Sequence, residues 1–260
     1  MLLRDKVAVI TGGGRGIGRA IARRFAVAGA KVAVVARTQK EIEAVAVELK
    51  STGHSAVAIC ADVSQESGAK KIVAEAHKHF GRIDILVNNA GVLGSVKVIE
   101  EVDPAEWDAV VAVNLRGPFL LSRLVLPEMY LRKSGVIINM SSVAAKGAFR
   151  WNAPYAASKS GLLGLTRTLA AEGAKNGVRV NAICPGPVQE TEMLQKLGEG
   201  LGERLQMSSE KISQQLAQGT LQGRAQTVEE IAEAALFLAS DAASAITGQI
   251  LNVDGGMSFY

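Results

Sequence analysis

Short apolar, β-branched runs recur along the chain at residues 6–11 (KVAVIT), 31–36 (KVAVVA), 56–60 (AVAIC), 84–89 (DILVNN), 136–141 (VIINMS), 178–184 (VRVNAIC) and 249–253 (QILNV), with amphipathic stretches of helical length between them. Runs that do not alternate between apolar and polar positions suit strands buried on both faces, and intervening helices make right-handed parallel crossovers. The pattern predicts an α/β fold: one Rossmann-like, doubly wound domain over residues 1–260, with a seven-stranded parallel sheet flanked by helices. Ligands on such sheets bind beyond the carboxyl ends of the strands, so the residues that follow each run are the candidate functional ones. One stretch, about 190–223, breaks the rhythm: Gly198, Gly200, Gly202 and Gly219 interrupt a helical pattern carrying Met193, Leu194, Leu197, Leu201, Leu205 and Met207. It is expected to be a helical substrate lid loosened by its glycines.

Composition narrows the function. A hydrophobic fraction of 48% with 21% charged residues excludes a disordered chain. The net charge of +4 comes from scattered Lys and Arg, which argues against a nucleic-acid partner. Cys60 and Cys184 supply neither a disulfide framework nor a zinc site, and a reducing, cytoplasmic location is expected, with Cys60 in the core and Cys184 a buried small hydrophobe. His54, His77 and His79 do not share a helix face, so no metal is expected. The opening MLLRDKVAVITGGG reads as neither a signal peptide nor a membrane span, which puts the expected mature start near Met1 and no membrane among the partners.

Glycine, at 27 residues, is about a tenth of the chain against roughly 7% in average proteins. The first run ends in Thr11-Gly12-Gly13-Gly14-Arg15-Gly16-Ile17-Gly18 and passes straight into a helical segment. Glycines at 12, 16 and 18 allow a tight turn, close approach of backbone to a pyrophosphate, and phosphates at a helix N-terminus. About 20 residues on, an acid would accept the ribose 2′-hydroxyl of NAD, whereas an Arg accommodates a 2′-phosphate. The second run ends in Ala36-Arg37, so NADP(H) is favoured over NAD(H), with Arg15 expected to close on the same phosphate.

The turn together with Asp62-Val63, Asn88-Asn89-Ala90-Gly91, Asn114, Ser142, Tyr155 with Lys159, Pro185-Gly186 and Asn252-Val253-Asp254-Gly255-Gly256 resembles the short-chain dehydrogenases/reductases over essentially the whole chain. The resemblance implies that Gly12, Gly14, Arg15, Gly16, Ile17 and Gly18 cradle the phosphates and that Asp62 with Val63 meets the adenine. It further implies that Asn88, Asn89, Ala90 and Gly91 line the cofactor, and that Pro185, Gly186, Val188 and Thr191 lie on its nicotinamide side.

The catalytic set follows from chemistry. Tyr155 and Lys159 stand at i and i+4 after Pro154 and share a helix face. A phenol has a pKa near 10; a neighbouring ammonium and an oxidised nicotinamide favour its ionised form and bring it toward a useful acid/base range. Lys159 also suits the nicotinamide ribose. Ser142, rather than Ser141, closes the fifth run with its hydroxyl toward the ligand edge, where it fixes the substrate oxygen beside Tyr155. Pro118 follows Asn114 by four residues and has no N–H, so the Asn114 carbonyl loses its α-helical partner. In the family, an Asn at this position supports a water bridged to the Lys. Phe149 and Trp151 either line the substrate pocket or anchor a loop.

Within the family the general likeness is to NADPH-dependent 3-oxoacyl-acyl-carrier-protein reductases, which implies ketone–alcohol interconversion by hydride transfer. Arg132 and Lys133 suit an acidic carrier protein, but Asn176 stands where an Arg is expected, and Gln189-Glu190 lengthens the lid. A longer lid suits a small enclosed ketone, polyol or sugar as the alternative substrate. A dinucleotide sensor without turnover would tolerate loss of Ser142, Tyr155 or Lys159, and all three are present. The resemblance also implies a homotetramer built through the Asn114 and Tyr155 helices and the C-terminal strand region, with the apolar ending MSFY against a partner.

Overall fold

The computed structural model describes residues 1–259. The described residues form β1 (Val7–Thr11), α1 (Gly16–Val27), β2 (Lys31–Ala36), α2 (Gln39–Ser51), β3 (Ala56–Cys60), α3 (Glu66–Phe80), β4 (Ile85–Asn88), α4 (Pro104–Val111), α5 (Gly117–Arg132), β5 (Gly135–Met140), α6 (Ala153–Gly173), β6 (Val178–Pro185), α7 (Glu192–Leu205), α8 (Ser209–Gln218), α9 (Val228–Ala239) and β7 (Ile250–Val253). All pairings are parallel, in the order β3-β2-β1-β4-β5-β6-β7, which is the doubly wound seven-stranded sheet expected from the runs.

The continuous apolar runs are explained by two cores. Ala8, Ile10, Val32, Val34, Ile85 and Val87 pack with Ile21 and Phe25 of α1, Val45 of α2 and Ile231 of α9 on one face. Val9, Ala33, Val35 and Leu86 pack with Ile72 of α3, Leu121 and Met129 of α5 and Leu169 of α6 on the other. Each strand residue, pointing to either side, meets a helix. The strand order reverses between β1 and β4, which opens a crevice at their carboxyl ends. Cys60, expected in the core, is instead half-buried at the end of β3, where its thiol donates to the Arg37 carbonyl.

Between α4 and α5 the chain makes one π-helical turn, Ala112–Arg116, with Asn114 at its centre. The irregularity expected from Pro118 is therefore present, as a widened turn. The composite rod Pro104–Arg132 is long and apolar enough to cross a bilayer by composition alone, with a mean hydropathy of 1.5 over its best window. Half of that window is buried in the fold, and Phe119 and Leu131 stand on the exposed part.

The segment expected to form a lid is helical: α7 and α8 pack on each other as a hairpin. Three of its glycines, expected to loosen it, are instead tightly packed. A Cβ on Gly198 would lie 2.6 Å from Ser209 Oγ, one on Gly200 2.5 Å from Val96 Cγ2, and one on Gly202 2.6 Å from the Met207 carbonyl. They are close-packing positions that seat α7 against α8 and the loop after β4. At the C-terminus Phe259 is exposed, and Tyr260, the last residue of the MSFY ending, lies outside the described residues.

Candidate active site

The glycine turn joins β1 to α1 at the point where the strand order reverses. Asn89 Nδ2 donates to the carbonyls of Thr11 at 2.8 Å and Gly12 at 3.2 Å, and Thr11 Oγ1 accepts from the amides of Asn89 and Ala90. The turn after β4 thus holds the turn after β1. A Cβ on Gly18 would sit 2.2 Å from the Gly12 carbonyl oxygen, so the helix can approach this closely only with glycine there. Arg15, in extended conformation at the N-cap of α1, makes no side-chain cap, and the first turn carries no acid. The first amides of α1 therefore remain available to an anion. A backbone cradle ending in an uncapped helix, at the reversal of the sheet, fits a dinucleotide pyrophosphate.

Around that cradle the expected residues are sorted. Gly14 packs against α2, where an added Cβ would stand 2.9 Å from Glu41 Cβ, Ile17 packs on the core beneath the turn, and Gly16 faces Thr191, whose Cγ2 would be 3.7 Å from an added Cβ. Thr191 Oγ1 donates to the Val188 carbonyl and accepts from the Leu194 amide, capping α7. Asp62 Oδ1 accepts from the amide and hydroxyl of Ser64, which fixes the turn after β3, and Val63 is buried beside it. Pro185 ends β6, and Gly186 passes close to Gln226, whose Oε1 would be 2.7 Å from an added Cβ. Asn88 turns inward: its Nδ2 donates to Asn139 Oδ1 at 2.8 Å, and Asn139 donates onward to Thr166. It braces β4, β5 and α6 rather than the ligand edge.

Arg37 is exposed at the end of β2 and makes no ion pair among the described residues. Arg15, expected to close on the same phosphate, is instead paired with Glu41 of α2 at 3.4 Å and with Glu192 of α7 at 2.5 Å. Glu41 ties the glycine turn to α2 and Glu192 ties it to α7, contacts invisible to any reading of consecutive sequence.

The side chains expected to be catalytic meet at the carboxyl ends of β4 and β5. An added Cβ on Gly91 would stand 3.3 Å from both Asn114 Oδ1 and Lys159 Nζ, so the two flank one glycine. Asn114 is fully buried. Its Oδ1 accepts from the Val92 amide, and its Nδ2 donates to the Val92 carbonyl and to Ser158 Oγ, which in turn donates to the Tyr155 carbonyl. Ser141 turns away from the edge and donates to the Lys159 carbonyl. Ser142 accepts from the Ala144 amide at 3.1 Å, which leaves its own proton free to donate.

Tyr155 and Lys159 are both buried, with the ammonium 5.5 Å from the ring centroid. Burial pushes the Tyr155 phenol up to about 12, with the adjacent Ser142 hydroxyl pulling the other way. Burial pushes Lys159 down to about 8. In the protein by itself Tyr155 is a proton donor, opposite to the downward shift expected for the loaded site. Its hydroxyl donates to Met193 Sδ at 3.5 Å, and Leu93, Ala144, Met193 and Leu197 form an apolar roof over it. Phe149 and Trp151 are not part of that roof; they line a separate outer groove with Lys97 and Arg150.

Comparison with known proteins places these features in context. The family model described as short chain dehydrogenase matches residues 6–202. The chain is 41% identical over 256 residues to 2-(S)-hydroxypropyl-CoM dehydrogenase 3 of Xanthobacter autotrophicus, covering 98% of each chain. It is 35% identical over 257 residues to a 3-oxoacyl-acyl-carrier-protein reductase of Thermotoga maritima, covering 99% of each. Among solved structures, levodione reductase superposes with a TM-score of 0.93 at 36% identity, covering 97% of each chain.

Proposed function

The chain belongs to the short-chain dehydrogenase family and is an oxidoreductase of the ketone–alcohol couple that takes a nicotinamide dinucleotide, and on that premise we propose that it interconverts a small ketone and its secondary alcohol with NADP(H). The single observation that carries this reading is the convergence of Ser142, Tyr155 and Lys159 under an apolar roof at the edge where the glycine turn opens.

Held at the glycine turn of Gly12, Gly16 and Gly18, a bound dinucleotide would supply the hydride for reduction and accept it in oxidation. This chain does the rest. The Ser142 hydroxyl, its lone pair engaged by the Ala144 amide, donates to the substrate oxygen and holds it beside Tyr155. Tyr155 gives its proton to that oxygen during reduction and takes it back during oxidation. Lys159, moored to the Met140 carbonyl, favours the ionised phenol after transfer. Asn114 is braced by Val92 and Ser158, and its π turn presents main-chain polar groups for a water that resupplies the proton. Met193 and Leu197 exclude bulk water.

Arg37, exposed and unpaired among the described residues, supports NADP(H) over NAD(H). A small substrate is favoured over an acyl carrier protein because Arg132 is occupied: it pairs with Glu128 and Asp84 and donates to the Ile83 carbonyl. The half-exposed apolar rod Pro104–Arg132 supports a homotetramer, and two free cysteines support a cytoplasmic location. The test is a panel of carbonyl compounds, an acyl thioester among them, with NADPH and NADH in parallel. Oxidation of NADPH by small ketones in preference to the thioester is expected; turnover confined to the thioester, or to NADH, overturns the corresponding part.

A further inference from the structure

Asparagine is among the best helix N-caps because its side-chain oxygen accepts from an amide of the first turn. Asn152 occupies the N-cap of α6, yet its side chain makes no capping bond. It is 6% exposed, and its Oδ1 has no hydrogen-bond partner. A buried amide oxygen left unpaired is costly, and native proteins keep few of them without a reason. The preceding residue, Trp151, is held at φ 65, a conformation that bulky side chains avoid. Lys97 pins the pair, its amide donating to the Trp151 carbonyl at 2.9 Å.

The direction of the amide follows from its neighbours. Trp151 and Ala153 line the outer groove, and Asn152 between them does not. Asn152 is the buried N-cap of α6 and Tyr155 its N3 residue, the position an N-cap side chain ordinarily reaches, so the amide stands at the same end of the helix as Tyr155. The roof formed by Leu93, Ala144, Met193 and Leu197 supplies no side-chain amide or hydroxyl of its own.

We infer that Asn152 is a specificity-determining residue whose amide hydrogen-bonds a second oxygen of the substrate, on the carbon next to the reacting one or the carbon beyond. This rests on the ketone–alcohol chemistry proposed at Tyr155. An N-cap side chain lies within reach of the N3 residue, so the polar ends of Asn152 and Tyr155 can serve two oxygens of one small molecule. A terminal amide accepts from a hydroxyl and donates to a carbonyl. The substrate class is therefore hydroxyketones, diketones and the corresponding diols. A plain ketone leaves the amide unpaired and is disfavoured by about tenfold or more.

Hydroxyacetone and butanone, which differ by a hydroxyl in place of a methyl, form the matched pair for the test. Their dissociation constants are measured by ligand-observed NMR on the full chain with each oxidised nicotinamide dinucleotide, and their KM and kcat with each reduced one. The unsubstituted protein is expected to prefer hydroxyacetone by about tenfold or more in binding and in KM. Asn152→Leu is expected to bring the preference within about twofold, and Asn152→Asp, which still accepts from a hydroxyl, to keep it. No preference in the unsubstituted protein, or a preference unchanged in a folded Asn152→Leu, overturns the assignment. If Asn152→Leu does not fold, loss of the preference in Asn152→Asp overturns it equally. A binding preference without any reduction of either ketone leaves Asn152 assigned and refutes the chemistry at Tyr155 instead.

Discussion

Lys159 Nζ donates a 2.8 Å hydrogen bond to the main-chain oxygen of Met140, the last residue of β5. The bond fixes the ammonium beside Tyr155, but burial still holds its pKa down at about 8 against an ordinary 10.5. The unfolded chain therefore binds more protons than the folded one between about pH 8 and 10.5, and this group's contribution to stability rises with pH across that window. Below the window both states carry the charge and its burial cost is full; above it both are neutral and the cost is gone. Lys159→Met is expected to be inactive yet more stable than the parent at pH 7, by on the order of 2–3 kcal/mol. The advantage should shrink as pH rises from 8. Tyr155, raised to about 12, contributes with the opposite sign only above about pH 10, outside the decisive range. Thermal melts across pH 6–9 check this; a Lys159→Met protein less stable than its parent at pH 7 contradicts the buried-charge account.

The same two groups set the direction of the pH profile. Reduction needs Tyr155 protonated, which the burial-raised phenol is at neutral pH, whereas oxidation needs its proton removed. Alcohol oxidation is expected to accelerate toward alkaline pH and ketone reduction to be best near or below neutrality. Initial rates in both directions over one buffer series decide it, and two profiles rising together would count against Tyr155 as the shared acid and base.

Glu41 and Glu192 compete with a ribose phosphate for Arg15. Because Arg15 is mostly exposed, the competition is screened and modest. Glu41→Gln and Glu192→Gln are each expected to tighten NADPH by about three- to tenfold at low salt with little change for NADH. Arg15→Ala should cancel the gain. Fluorescence titration of both dinucleotides measures it, and equal tightening of NADH would show that the effect does not act through the ribose phosphate.

Gly18 and Gly200 test two different close approaches. Gly18→Ala places a methyl against the Gly12 backbone and is expected to abolish dinucleotide binding. Gly200→Ala drives α7 off Val96 and should raise KM and expose the segment 192–218 to protease. A loosened hinge would give the reverse, since alanine there would stiffen the lid.

Much of this molecule was legible in its sequence because the strands are buried on both faces. Runs such as VAVIT and ILVN need no partner information to be recognised, and the glycine turn, Ser142, Tyr155 and Lys159 each follow a strand or open a helix where ligands bind. What escaped depends on contacts between distant segments. Gly198, Gly200 and Gly202 read as flexibility until Ser209, Val96 and Met207 are found against them. Asn88 and Asn89 are adjacent in sequence, yet one braces the interior through Asn139 and the other clamps the Gly12 turn. The Met193 sulfur on the Tyr155 hydroxyl and the Arg15–Glu192 pair arise only when the lid is folded back.

The most direct test of the central claim is Tyr155→Phe, which keeps the ring and removes only the transferable proton. NADPH binding by fluorescence and its oxidation in the presence of a small ketone are followed on the same protein. Unchanged NADPH affinity and a rate reduced by about a hundredfold or more are expected. A Tyr155→Phe protein that binds NADPH and still reduces the ketone at more than a few per cent of the parent rate, by the same scale, would contradict that claim.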